Sequence, residues 1–379
     1  MKVLFITVGS EMVPSSRLRV YQYLPHLEKR GLTYTIAPDP DPGVYSVEER
    51  CRQIEQRGTT QFSYAWHERL RHNIRRKRAI VLRKMILLLE SILSSRYDVV
   101  FIQKVILPAY VQELLYQMNK NLIFDFDDAI FVSPPYPAPH LLNRTLGLCR
   151  HVIVGSRFLE EYAKAYNKKV TIIPTSIDCE RFTSVHIVGN RNEKPVVGWV
   201  GFGEQHLPFL KVLWQPIENV GEEYDIVLRI IGTMGSEKMA NYFATFKNVE
   251  VQLVDWVNPR DVPKEIAKLD IGVMPLTDDR FAKGKCGLKA LEYMAMEIPT
   301  ICSPVGANAD IIEDGVNGFL ARTPEEWELK LKLLLDSPTR RMEIGRNGRR
   351  TVLERYSIEA NIDKLFKVIE HVYHTPSLA

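Results

Sequence analysis

Asp270 to Ala321 read DIGVMPLTDDRFAKGKCGLKALEYMAMEIPTICSPVGANADIIEDGVNGFLA. The residue types run in the order strand, Gly/Lys loop, helix, strand, Gly loop, which is half of a nucleotide-binding domain. Asp270 to Leu276 is a short apolar run ending at a proline turn, and Leu288 to Met296 combines helix-forming residues with a helical apolar period. Between them, Gly284 and Gly287 let backbone approach an anion closely, and the helix that follows offers free N–H groups and partial positive charge. Lys285, Lys289 and Glu292 fall at spacings of four and three and share one helix face. Lysines for diphosphate oxygens and a glutamate for vicinal ribose hydroxyls suit a nucleoside diphosphate. An exposed Lys289–Glu292 surface pair worth a few tenths of a kcal/mol is the alternative, and these residues alone leave both open.

Working outward, apolar strand segments recur at Val3–Val8, Thr33–Ala37, Val99–Gln103, Leu122–Phe126, Val152–Gly155 and Thr171–Pro174. A second set follows at Val196–Val200, Ile226–Gly232, Val249–Leu253, Ile271–Met274, Thr300–Ser303 and Gly318–Ala321. Helical segments separate most of them, which predicts an α/β protein with two Rossmann-like, doubly wound parallel sheets. Residues 1–178 form the first domain and residues 195–357 the second. The polar, turn-rich residues 179–194 read as the linker, and a final helix spans about residues 358–373. Ligands of such sheets bind beyond the carboxyl ends of the strands.

The chain has 379 residues, 50 Lys and Arg against 46 Asp and Glu, and ordinary apolar and aromatic fractions. This is the composition of a globular protein of about two domains. Met1 to Gly9 reads as a buried strand entering a glycine turn rather than a secretory signal. No run reaches the roughly 18 apolar residues of a membrane-spanning helix. Cys51, Cys149, Cys179, Cys286 and Cys302 form no Cys-x-x-Cys pair, so reduced thiols and a cytoplasmic setting are expected.

The run Glu292-Tyr-Met-Ala-Met-Glu-Ile-Pro299 resembles the donor-binding motif of the retaining glycosyltransferases of family 4, which have the two-domain GT-B fold. His151-Val-Ile-Val-Gly-Ser156, Val170–Asp178 and Val196-Val-Gly-Trp-Val-Gly-Phe-Gly203 are similar to further family segments. The resemblance implies two domains facing a cleft, with the last helix returning to the first domain, and transfer of a sugar from a nucleotide-diphosphate donor to an acceptor hydroxyl. It implies that Glu292 holds the ribose, that Gly201, Phe202, Gly203, Gly287, Leu288 and Lys289 line the donor, and that nucleobase contacts lie near Val254-Asp255-Trp256. Two departures stand out. The first glutamate of the family's Glu-x7-Glu pattern falls at Gly284, and the arginine and lysine expected after the glycine turn are replaced by Glu204-Gln205-His206-Leu207-Pro208. Lys283, Lys285 and Lys289 are expected to take over the diphosphate. Front-face attack needs no protein nucleophile.

Two clusters in the first domain carry further expectations. Gly9-Ser10-Glu11 opens a hydroxyl-rich loop with an N-cap at Ser15 or Ser16, and Gly9, Ser10, Arg17 and Arg19 are assigned to donor phosphates. Asp125-Phe126-Asp127-Asp128 follows a strand, where many family members carry a histidine turn. Asp127 and Asp128, with Lys289, are the catalytic candidates, orienting the acceptor or steadying positive charge at the sugar. An Asp-x-Asp pair invites a metal reading, but GT-B enzymes generally work without one, so neither metal nor other cofactor is expected.

From Glu68 to Leu93 the sequence holds eight Arg or Lys and two Glu. Arg69, Arg76 and Arg83 repeat every seven residues, opposite Ile74, Val81, Met85, Leu88 and Ile92. With Lys77, these cations suit an anionic membrane surface or a lipid-linked acceptor at the inner face of the cell membrane. The other reading is a core helix with a charged rim. No nucleic-acid module accompanies the charge. A nucleotide-sugar epimerase and a catalytically silent scaffold remain alternatives, the latter favoured by the two departures. A dehydrogenase is excluded because Gly9-Ser-Glu-Met-Val-Pro14 is not Gly-x-Gly-x-x-Gly.

Overall fold

A computed structural model describes residues 1–39, 83–132, 139–183 and 193–375. The chain divides into two compact units, Met1–Ser176 with Asn361–Ala379, and Ile177–Ala360.

The first unit is a six-stranded parallel sheet in the order β2-β1-β3-β4-β5-β6. Its strands are β1 (Lys2–Thr7), β2 (Thr33–Pro38), β3 (Val99–Gln103), β4 (Leu122–Phe126), β5 (His151–Val154) and β6 (Val170–Ile172). The central strands β3 to β5 are buried at every position, because helices on both faces leave no polar side to a parallel sheet. The chain reverses direction across the sheet between β1 and β3, which creates a crevice at their carboxyl ends. The last helix spans Ile358–His374. Within this unit, its Asp363 pairs with Arg30 at 2.6 Å, and the His371 ring stands edge-on to His151.

The second unit is a parallel sheet in the order β12-β11-β10-β7-β8-β9. The strands are β7 (Val196–Val200), β8 (Val227–Ile231), β9 (Glu250–Val254), β10 (Ile271–Met274), β11 (Thr300–Cys302) and β12 (Phe319–Leu320). Here β7 and β10 are the adjacent strands at the reversal, registered Ile271 to Val197 and Gly272 to Gly198. A Cβ on Gly272 would come within 2.5 Å of the Tyr293 ring. Glycine there lets the Leu288–Ala295 helix lie close on the strand.

Among the described residues, all twelve strands lie where apolar runs predict them, with ends shifted by a residue or two. The expected linker, 179–194, lies partly outside the described residues, and two of its residues, Cys179 and Phe182, are packed into the second unit's core.

The basic segment fares differently. Arg69, Arg76 and Lys77 lie outside the described residues. Residues 83–93 are helical. Arg83, assigned to a membrane or acceptor surface, instead grips the buried Asp39 with two hydrogen bonds of 2.7 and 2.6 Å. Leu87 and Ser91 form the buried side of this helix, whereas Met85, Leu89 and Ile92 are about half exposed, at 57%, 55% and 50%. Its apolar stripe therefore faces outward rather than into the core.

Candidate functional site

In the second unit, the loops after β7 and β10 meet at the strand reversal. Gly201 N–H donates to Ile231 O at 2.9 Å, and Gly203 N–H donates to Gly232 O at 2.8 Å. The β8 loop is tied in turn to β9: Gly232 N–H donates to Val254 O, Met234 N–H donates to Asp255 O, and Thr233 Oγ1 donates to Asp255 Oδ1 at 2.6 Å. A Cβ on Gly232, which is at φ +91°, would come within 2.1 Å of Gly201 O. Phe202 and Trp256 are both partly buried in these loops.

After β10 the chain forms a short helix, Arg280–Lys283, that the sequence reading did not anticipate. Asp279 caps it, accepting from Phe281 and Ala282 N–H at 2.8 and 2.9 Å. Gly287 then starts the Leu288–Ala295 helix at φ +71°. Lys289 Nζ lies 3.1 Å from Glu292 Oε2, and Glu292 is buried. Lys285 Nζ sits 4.4 Å from the Phe281 ring centroid, and Lys283 pairs at the surface with Asp278 at 3.0 Å. Val200 N–H donates to the buried Tyr293 hydroxyl at 2.9 Å, which pins this helix to the end of β7. Lys289 is one turn before Tyr293 on the same face.

Sequence reasoning missed two residues here. His206 is held with Nδ1 3.1 Å from Phe202 O. Burial and then the charges of Lys285 and Lys289 lower its pKa to about 4, against the opposing pull of the Phe202 and Gly203 backbone. Arg181, in the segment read as linker, has its pKa lowered by burial, while the charges of Glu292 and Asp178 oppose that shift. The sequence signal for either was only the absence of the family's arginine and lysine.

In the first unit, the carboxyl ends of β1, β3 and β4 carry a buried ionic cluster. Arg19 is not an open phosphate grip: its Nε donates to Asp125 Oδ2 at 3.0 Å, its Nη2 to Asp125 Oδ1, and its Nη1 to Ile173 O at 2.7 Å. Burial disfavours this cation, but the attraction of Asp125 and its hydrogen bonds outweigh it and raise the guanidinium pKa. Arg17 reaches back to Glu11 O at 2.9 Å, so it braces the loop. Ser15 and Ser16 are not N-caps. The helix Pro14–Arg19 begins after Val13, and both hydroxyls turn inward, Ser16 Oγ accepting from Gly9 N–H at 3.2 Å. The Ser10 hydroxyl accepts from Met12 N–H at 3.3 Å.

Lys104 completes the cluster. Its Nζ lies 3.2 Å from Asp127 Oδ1, also bonds Asp128 Oδ2, and donates to Ser15 Oγ at 3.0 Å, while Ser15 Oγ donates to Asp127 Oδ2 at 3.1 Å. Of the three acids, Asp128 is the most exposed. Chain cations engage all three carboxylates. Among the described residues, no three His, Cys, Asp or Glu side chains converge as metal ligands.

Residues 194–337 match the family model described as "Glycosyl transferases group 1". Spore coat protein SA of Bacillus subtilis (strain 168) is 24% identical over 173 residues, 42% of this chain and 44% of that protein. The capsular polysaccharide biosynthesis glycosyltransferase CapM of Staphylococcus aureus is 23% identical over 277 residues, 69% and 65% of the two chains. The matches thus span about half to two thirds of these curated relatives. A glycosyltransferase from Rickettsia africae ESF-5 superposes over 99% of both chains, with a TM-score of 0.70 and 13% identity. Anabaena Alr3699/HepE, solved with UDP, superposes over 98% of this chain and 100% of that one, with a TM-score of 0.65 and 14% identity. The two six-stranded parallel sheets are those of GT-B glycosyltransferase structures. Among the described residues, no helix is long and apolar enough to cross a membrane.

Proposed function

We propose that this protein is a retaining glycosyltransferase of family 4, moving a sugar from a nucleotide-diphosphate donor to an acceptor hydroxyl on a lipid-linked or cell-surface glycan precursor. The observation that carries this reading is the group Lys285, Lys289 and buried Glu292 at the start of the Leu288–Ala295 helix, fastened by Tyr293 to the glycine turn after β7. As the glycosidic bond breaks, negative charge develops on the departing diphosphate and the sugar becomes oxocarbenium-like. The two lysines and the helix N-terminus stabilise that charge, and Glu292 accepts hydrogen bonds from the ribose. The departing phosphate oxygen takes the acceptor's proton, so the protein supplies no nucleophile. Asp128, steadied by Lys104, orients the acceptor hydroxyl. No metal takes part, and the acceptor is met at an anionic membrane surface on the cytoplasmic side.

HepE's complexes with UDP and UDP-glucose make uridine diphosphate sugars the first donors to test. A thermal-shift panel of UDP, GDP, ADP, dTDP and CMP, with and without their sugars, tests the reading on wild type, Glu292→Ala and Lys289→Ala. A selective rise in Tm that both substitutions abolish supports the donor site. No rise with any nucleotide, in folded protein, favours the silent scaffold, to which Gly284 in place of the family glutamate already points.

A further inference from the structure

The turn after β7 lacks the cations expected there, yet it presents a histidine to the lysines that remain. The Phe202 carbonyl can only accept a hydrogen bond, so the His206 nitrogen 3.1 Å away is the N–H and Nε2 carries the lone pair. The imidazole is wedged between the rings of Trp199 and Phe209, at centroid distances of 5.4 and 6.2 Å. Among the described residues, Nε2 has no hydrogen-bond partner. Glu204, two residues earlier, is engaged elsewhere, accepting from Ser236 Oγ at 2.8 Å. On the facing side, the Val200–Tyr293 bond ties the helix that carries Lys289 to the end of β7. Lys285 and Lys289 are the charged groups that act on the ring.

We infer that His206 is a proton-coupled diphosphate ligand: as the donor's diphosphate settles against Lys285 and Lys289, Nε2 takes one proton from solvent and donates it in a hydrogen bond to a phosphate oxygen. This rests on the donor site proposed above and extends it. In the free protein, burial and the two ammonium charges hold the ring neutral, with a pKa of about 4. A bound diphosphate offsets those charges and reverses the sign of the local field, so the proton becomes favourable. The protonated ring then does what the missing arginine would do, but only below a certain pH. Raising the bound pKa back to the ordinary value of about 6.5 makes binding about fourfold tighter at pH 6 than at pH 8.

The test compares wild type with His206→Asn, whose side-chain amide can keep the bond to Phe202 O but has no titrating nitrogen. The probes are inorganic pyrophosphate and UDP, studied by calorimetry in two buffers of different ionisation heat at pH 6 and pH 8, and by NMR of the His206 ring. Subtracting the variant removes ionisation of the ligand's own phosphate, whose pKa is also about 6. The expected result is extra proton uptake by wild type at pH 6, none at pH 8, and an upward-shifted His206 titration in the complex. Tight binding of either probe with an unmoved His206 titration, or with equal uptake in both proteins, overturns the inference and leaves the donor site standing. Failure of both probes to bind wild type overturns the donor site and the inference together.

Discussion

Lys104 Nζ stands 3.2 Å from Asp127 Oδ1, on a residue whose backbone lies in the left-handed region at φ +62°. A lysine in that conformation costs roughly 1–2 kcal/mol relative to ordinary backbone, so its surroundings must hold it there. Its ammonium is the cation shared by Asp127, Asp128 and Ser15. Removing it leaves buried carboxylate charge without its counterion. Lys104→Met should destabilise the protein by roughly 3–5 kcal/mol, and adding Asp127→Asn should recover part of that loss. Urea denaturation at pH 7 across the double-mutant cycle checks this, and additive effects would show that the pair is uncoupled.

Gly287 and Gly284 are separated by two residues and differ in backbone need. Gly287 is at φ +71°, and a Cβ there would come within 2.3 Å of Ile311 Cδ1. Gly284 is at φ −82°, ordinary for any residue. Gly287→Ala should cost roughly 1–3 kcal/mol and weaken nucleotide binding. Gly284→Glu, which recreates the family's first glutamate at this buried position, should alter which sugar nucleotides raise Tm, and Gly284→Ala should cost less stability than Gly287→Ala because its φ suits any residue. Equal losses of stability from the two alanine substitutions would contradict the backbone argument.

How much of this was legible in the sequence depends on separation along the chain. Leu122–Phe126 and its neighbours announced themselves as strands because a parallel sheet covered on both faces needs uninterrupted apolar runs. Lys289 and Glu292 were legible because helix geometry alone makes them neighbours. The acids at 125–128 were visible as a cluster, but their partners were not. Arg19 and Lys104 reach them only because β1, β3 and β4 are adjacent in the sheet, and local sequence does not encode strand order. Arg83 misled for the same reason: its helical period fitted a solvent face, while Asp39 at the end of β2 was waiting for it.

Glu90 gives the protein a stability term that changes near neutral pH. Burial and the charge of Asp39 push its carboxyl up to about 7. Since the folded value lies above the unfolded one, its contribution is fully present below about 4.3 and is lost as pH rises through 7. Glu90→Gln removes that loss. At pH 8 the variant should melt roughly 2–4 °C higher than wild type, with most of that advantage gone at pH 5. Thermal melts at both pH values, followed by near-UV circular dichroism, check the sign. A variant less stable than wild type at pH 8 would mean that the carboxylate is satisfied in the folded state.

Met85, Leu89 and Ile92 occupy positions i, i+4 and i+7 of one helix and form an exposed apolar stripe beside exposed Lys84. Such a stripe with adjacent positive charge is the chemistry of an interfacial helix. Each side chain, about half exposed in water, stands to gain roughly 1 kcal/mol from entering the headgroup boundary. Replacing all three with serine should therefore reduce partitioning onto anionic phosphatidylglycerol vesicles by roughly a hundredfold at low salt. Because none of the three packs in the core, the nucleotide-induced rise in Tm should be unchanged. Co-sedimentation of wild type and the triple variant with anionic and neutral vesicles measures the difference. Equal sedimentation of the two proteins would assign any membrane affinity to the basic residues alone and leave the apolar stripe without a role at the membrane.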